Sequence, residues 1–133
     1  MKNHVAFALL LASAAFTSSC AGSKDKEVAH AKLATTADGK DIGSAKFYQL
    51  EDGKIKMDLE INYPDRADST VAVHFHEHGD CGNMGENAHG HWNPTKEAHG
   101  KWGDGAFHSG DIGNIELDSK GHGNVSITSD RWN

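Results

Sequence analysis

Between Glu77 and Gly110 the chain carries no hydrophobic period of any kind. Gly, His, Asn and Asp dominate, and nothing in the run defines a strand or a helix face. Loops longer than about 12–15 residues without structure of their own are uncommon in a compact domain unless they are functional. Whatever this chain folds into must hold a long loop in place without an apolar stripe inside it. Seven of the ten histidines fall between His74 and His108, and imidazole is the commonest metal ligand at neutral pH. A bound metal supplies order where an apolar core cannot.

The flanking sequence is strand-like. Val28 to Thr36 (VAHAKLATT) alternates, Ala37-Asp38-Gly39-Lys40 is a turn, and Ile42 to Leu50 (IGSAKFYQL) is a second strand. The Asp52-Gly53 pair then signals a hairpin. Ile55 to Tyr63 (IKMDLEINY) puts Ile55, Met57, Leu59 and Ile61 on one face and Lys56, Asp58, Glu60 and Asn62 on the other, the pattern of a half-buried antiparallel strand. Pro64-Asp65 breaks it. Thr70 to His76 (TVAVHFH) is a fourth strand, and Ile112 to Leu117 and Gly123 to Thr128 are two more, joined by a turn at Asp118 to Gly121. No helix with an apolar stripe and no internal repeat is visible. Short strands, Gly turns and one long loop predict one all-β domain, a sandwich or barrel. The net charge of −6 argues against nucleic acid as a partner, which needs a basic face. It does not exclude an anionic substrate, because an acidic protein can still present a local positive funnel.

In a strand, residues i and i+2 share a face. Val71, Val73 and Phe75 therefore take the core side, and His74 and His76 project together from the other. In the loop, His91, His99, His108 and Asp111 make a set of three imidazoles and one carboxylate, which suits tetrahedral zinc. All four positions would be filled by protein, so that ion would be structural. His74, His76 and one shared loop imidazole would make a nitrogen-rich site that favours copper.

These residues resemble a known family. Val73-His74-Phe75-His76-Glu77, Gly79-Asp80, Gly90-His91-Trp92-Asn93-Pro94, His99-Gly100 and His108-Ser109-Gly110-Asp111-Ile112-Gly113-Asn114 are similar, in order and in gaps, to the metal loop of the copper/zinc superoxide dismutases. The resemblance runs from Ala29 to Thr128. It implies a Greek-key β-sandwich or barrel, with copper on His74, His76 and His91 and zinc on His91, His99, His108 and Asp111. His91 would bridge the two metals. The implied reaction is disproportionation of superoxide to oxygen and hydrogen peroxide, with copper carrying the electron, zinc redox-silent, and His91 both ligand and proton donor. Cys81 would be the loop half of a disulfide, with no partner visible at the family's position. The family's chain also continues past the equivalent of Asn133, with two more strands, a fourth copper histidine, an arginine that guides superoxide, and the second cysteine. On that reading the last two strands are missing, and the chain as written is expected to be unstable or poorly active. Arg66 lies in a turn and Arg131 at a frayed end, and neither takes the guiding role.

The remaining residues carry less. His78 and His89 lie beside the ligands, where recruiting metal is one reading and solvated loop residues the favoured one; His30 and His122 read as surface, Trp92 as core packing, and Trp102 and Trp132 as without functional signal. At the N-terminus, Met1-Lys2-Asn3-His4 is a basic leader, and Val5 to Phe16 is an apolar run well short of the about 20 residues that span a bilayer. Thr17-Ser18-Ser19-Cys20 resembles a bacterial lipoprotein cleavage box, with Thr17 where Leu is commonest. An ordinary secretory signal cut near Ala21 is the alternative. The expected organisation is a signal over 1–19, a tether over 20–28 beginning at lipidated Cys20, and the catalytic-type domain over 29–133. That places the chain at the bacterial cell envelope, membrane-anchored, facing the periplasm or the surface. Oligomeric state is left open, a homodimer among the options. Two other functions compete with the dismutase: a non-catalytic copper/zinc-binding envelope lipoprotein, and a structural lipoprotein with an inert histidine loop.

Overall fold

A computed structural model describes residues 25–132, so the signal, Cys20 and most of the tether lie outside the described residues. Six strands lie among the described residues: β1 Lys26–Ala34, β2 Asp41–Gln49, β3 Ile55–Asn62, β4 Thr70–His74, β5 Asp111–Glu116 and β6 His122–Ser129. The only helical pieces among the described residues are two 3-10 segments, Pro64–Arg66 and Asn83–Ala88. All pairings are antiparallel. One sheet has the order β1-β2-β3-β6 and the other pairs β4 with β5. The chain thus leaves β3, builds β4 and β5 in the second sheet, and returns to β6 beside β3, a Greek-key excursion. The sheets do not close into a barrel among the described residues, so of the two architectures the sequence allowed, the sandwich describes them.

Strand β3 explains the core. Met57, Leu59 and Ile61 are buried as the alternation requires, and burying a side chain of this size contributes about 2 kcal/mol. Ala45 pairs with Leu59 across β2, and Val125 and Ile127 pair with Leu59 and Met57 across β6. From β5 come Ile112 and Ile115, and just after it Leu117. The opposite face of β3 is polar: Lys56 lies 3.2 Å from Asp58, and Ser126 Oγ donates to Asp58 Oδ1 at 2.6 Å. The Asp52-Gly53 hairpin forms as expected. Gly53 sits at φ +84°, where a side chain would be strained, and Leu50 N–H donates to Lys54 O at 2.9 Å. β1, at the sheet edge, leaves nearly all its residues exposed, with only Leu33 turned partly inward.

One strand ends earlier than its sequence predicts. β4 stops at His74, not His76, because the pairing shifts register after Val73. Beyond it, Phe75 N–H donates to Gly110 O, Trp92 N–H to Phe75 O, and Gly110 N–H to Trp92 O, at 2.8–2.9 Å. Three stretches of main chain meet there, and a Cβ on Gly110 would lie 2.5 Å from Phe75 O. Only glycine fits that crossing.

Candidate metal centre

The two sheet ends define the site. His74, the last residue of β4, is the register partner of Asp111, the first residue of β5. His76 then bridges to His91. Phe75 between them turns the other way, its ring 5.8 Å from Phe47 and 5.3 Å from Trp132. The His74 ring stacks on His91 at 3.9 Å, and the His76 ring meets His91 edge-on at 5.3 Å. His74 and His76 therefore both lie against one loop imidazole, although β4 ends at His74 and does not carry the two together.

That imidazole also belongs to a second group. His91, His99, His108 and Asp111 each place one ligand atom within 4.8 Å of all the others. Asp111 is 2% exposed. Its Oδ1 lies 2.8 Å from His91 Nδ1, 3.0 Å from His99 Nδ1 and 3.6 Å from His108 Nδ1. Its Oδ2 accepts the backbone N–H groups of Gly100 at 3.1 Å and His108 at 3.0 Å. Burial alone would raise the Asp111 pKa. The amides of Gly100 and His108, the His91 ring and the charge of His108 outweigh burial and hold the carboxyl down at about 2.

One carboxylate oxygen cannot satisfy three rings by hydrogen bonding. His108 Nδ1 is buried and has no hydrogen-bond partner, a costly state for a polar atom. Three imidazole nitrogens and one ionised oxygen converging on one point are the donor set of a tetrahedral zinc site, and the residues fit that ion. The set includes neither His74 nor His76. On the other side of His91, His76 Nδ1 lies 2.9 Å from His89 O. A carbonyl only accepts, so Nδ1 carries the proton and Nε2 is left as the ligand atom. Burial first, then the neighbouring His91, push the His74 pKa below its ordinary value, which favours the neutral ring a metal needs.

The loop is not ordered by metal ligands alone. Asn93 clasps Glu97 twice, through Nδ2 to Glu97 O at 2.8 Å and Oδ1 from Glu97 N–H at 3.0 Å. Trp132 Nε1–H donates to Ser109 O at 2.9 Å, and its ring packs on Phe47, Phe75 and Trp102. Arg131 corrects the sequence reading of a frayed end. Its Nη1 donates to Glu97 Oε2 at 2.6 Å and to Phe107 O at 3.2 Å, and its guanidinium lies 4.2 Å from the Phe107 ring centroid. Sequence reasoning assigned neither Trp132 nor Arg131 a purpose. Trp92 is half-buried and lines an apolar hollow with Phe47, Phe75 and Trp132, in line with its reading as packing. Cys81 is free and exposed, and no disulfide is present among the described residues.

An open cavity of about 600 Å³ meets this centre, lined by His74, His99, Lys101, Trp102, Asp111 and Asn114 among others. A larger one of about 770 Å³ lies over Gly43, Glu60, Asp118 and His122 and touches none of the predicted ligands. Of the two, only the first adjoins the candidate ligands.

The family model for copper/zinc superoxide dismutase (SODC) matches residues 42–133. The chain belongs to the copper/zinc superoxide dismutase family. It is similar to the superoxide dismutase [Cu-Zn] of Podospora anserina, 35% identical over 92 residues that cover 68% of this chain and 59% of that one. Against the superoxide dismutase [Cu-Zn] of Yarrowia lipolytica it is 36% identical over 85 residues, 63% of this chain and 54% of the other. A shorter match, 46% over 55 residues, joins it to the extracellular superoxide dismutase [Cu-Zn] of Caenorhabditis elegans, covering 41% of this chain and 25% of that one. The chain thus spans between 25% and 59% of the length of these curated relatives. Among solved structures, a double mutant of a SOD-like protein from Bacillus subtilis superposes with TM-score 0.63 at 28% identity, covering 74% of this chain and 63% of that one. Copper and zinc are the metals of this family, and the histidine cluster around Asp111 is where the chain has the donors to bind one.

Proposed function

We propose that this chain disproportionates superoxide at a histidine-bridged copper/zinc site. Two superoxide anions and two protons give one oxygen and one hydrogen peroxide. The observation that carries this is His91: its Nδ1 faces Asp111 within the zinc-type set, while its ring sits against those of His74 and His76. One imidazole joins the two groups, in a chain of this family.

In this reading His74, His76 and His91 hold copper, and His91, His99, His108 and Asp111 hold zinc. When bound, copper supplies a one-electron couple and zinc supplies fixed geometry. The chain's own part is positional and protonic. Asp111, kept ionised, holds the His91 ring directly and stands at the point on which His99 and His108 also converge. His76 is turned by the His89 carbonyl so that Nε2 is its free nitrogen. His91, with Nδ1 committed towards Asp111, has Nε2 left to take up a proton and release it to the nascent peroxide. Lys101, which lines the same cavity as His74, supplies a cation there to attract an anion. The same proposal places the protein at the bacterial envelope, exported by residues 1–19 and anchored through lipidated Cys20, which labelling with a fatty acid and a Cys20→Ala control would test.

Pulse radiolysis tests the activity. With copper and zinc loaded, superoxide decay should be fast and metal-dependent, and His74→Ala should remove it while zinc content stays unchanged. Decay at the spontaneous rate with both metals bound would make the chain a metal-binding protein without turnover.

A further inference from the structure

We infer that Glu77, His78 and His89 form a second, solvent-open binding site for a divalent transition-metal ion, copper(II) above the others, on the outer side of the metal loop. Their ligand atoms all lie within 4.8 Å of one another, and all three residues are exposed. None of the three belongs to the sets described above. The His78 and His89 rings stand 4.5 Å apart at 83°, so their edges can converge on a common point.

The sequence brings these residues from two arms of the loop, and the backbone fixes them side by side. Glu77 N–H donates to Gly90 O at 3.0 Å and His78 N–H to Ala88 O at 3.2 Å. This short ladder positions the donors before any ion arrives, which lowers the ordering cost of binding. No side-chain hydrogen bond or ion pair engages the Glu77 carboxylate or either ring among the described residues, apart from the contact between the rings themselves. Two imidazoles and a carboxylate give a borderline N2O set, and water completes the coordination at an exposed site. For such a set, affinity among divalent first-row ions peaks at copper(II). The carboxylate adds the negative charge that two neutral rings lack.

The site is coupled to the proposed copper ligands by one residue. His89, whose ring is a donor here, is also the residue whose carbonyl accepts from His76 Nδ1. An ion held at His89 is therefore held one residue away from the His76 side of the centre.

The test separates this site from the dismutase reading with His74→Ala, the intact set of His91, His99, His108 and Asp111 being filled with zinc beforehand and its zinc content checked throughout. Copper(II) is titrated into the full chain carrying His74→Ala, and binding is followed by electron paramagnetic resonance and calorimetry. A copper class with nitrogen couplings should remain in that background. Adding His78→Asn should weaken it about tenfold or more, a loss of the size that altering a metal's surroundings produces. Glu77→Gln, which leaves both rings in place, should weaken it in the same direction, and it replaces His78→Asn if that variant fails to melt cooperatively. Equal copper binding by His74→Ala with and without these changes would overturn the inference and leave His78 and His89 as solvated loop residues. That result would not touch superoxide decay in the wild-type chain.

Discussion

In β3 every second side chain disappears into the core, whereas between Glu77 and Gly110 only Phe107, Ser109 and Gly110 are buried. The four-stranded sheet is held by burial, which is non-directional and spread over many residues. The loop is held by directed contacts that each occur once: the backbone crossing at Gly110, the Asn93 clasp, the Trp132 and Arg131 attachments, and the donors around Asp111. The difference teaches where damage should spread. Losing core volume weakens everything that rests on the sheet, and that includes the loop, which is tied through Phe75 and Trp132 to Phe47 of β2. Losing one loop contact should loosen its own neighbourhood and little else.

The largest expected effect comes from the sheet. Met57→Ala, at a fully buried position, should cost about 3 kcal/mol in urea unfolding, and hydrogen exchange should quicken in strands and loop alike. Loop amides that kept their protection would show that the loop stands alone, and the comparison would break.

Next is acid. The Asp111 pKa of about 2 lies below its ordinary value of 3.8, so the folded state binds its proton less readily than the unfolded chain. Its contribution is complete above about pH 5 and is lost as pH falls through the ordinary value towards 2. For this buried group it amounts to about 2 kcal/mol. Urea midpoints of metal-stripped protein should fall over that window, and Asp111→Asn should flatten the slope. An unchanged slope in that variant would assign the acid sensitivity elsewhere.

Smallest is Arg131→Gln. The Arg131–Glu97 pair is partly exposed, so it and the contact with Phe107 contribute about 1 kcal/mol. Amides around Glu97 and Phe107 should exchange roughly fivefold faster while those of β3 do not change. An equal acceleration in β3 would mean that this attachment supports the whole domain.

The same contrast decides what could be read from the amino acids alone. The strands were legible because a period of two is written in consecutive residues, and β2, β3 and the Asp52-Gly53 hairpin fall where it puts them. The donor set was legible because its members are chemically distinctive and ordered along one loop. The early end of β4 was not, because it depends on Gly110 and Trp92 crossing Phe75, three positions no local pattern relates. Trp132 and Arg131 were missed for the same reason. Their partners, Ser109 and Glu97, lie far back in the chain, and a tryptophan or arginine near a terminus carries no mark of what it will touch. Main-chain bonds and aromatic packing in the loop were not legible either, because their partners are scattered along the chain.

The bond from His76 to the carbonyl of His89 has a consequence for how the site can evolve. A main-chain oxygen is present whatever amino acid stands at position 89, so the protonation pattern of a key imidazole is insulated from substitution there. The backbone at His89 runs at φ +62° and ψ −147°, a conformation glycine adopts most easily. A mutation to glycine would relieve the backbone and still orient His76. The imidazole at this position is thus free to be gained or lost by selection without disturbing the ring that the carbonyl aims.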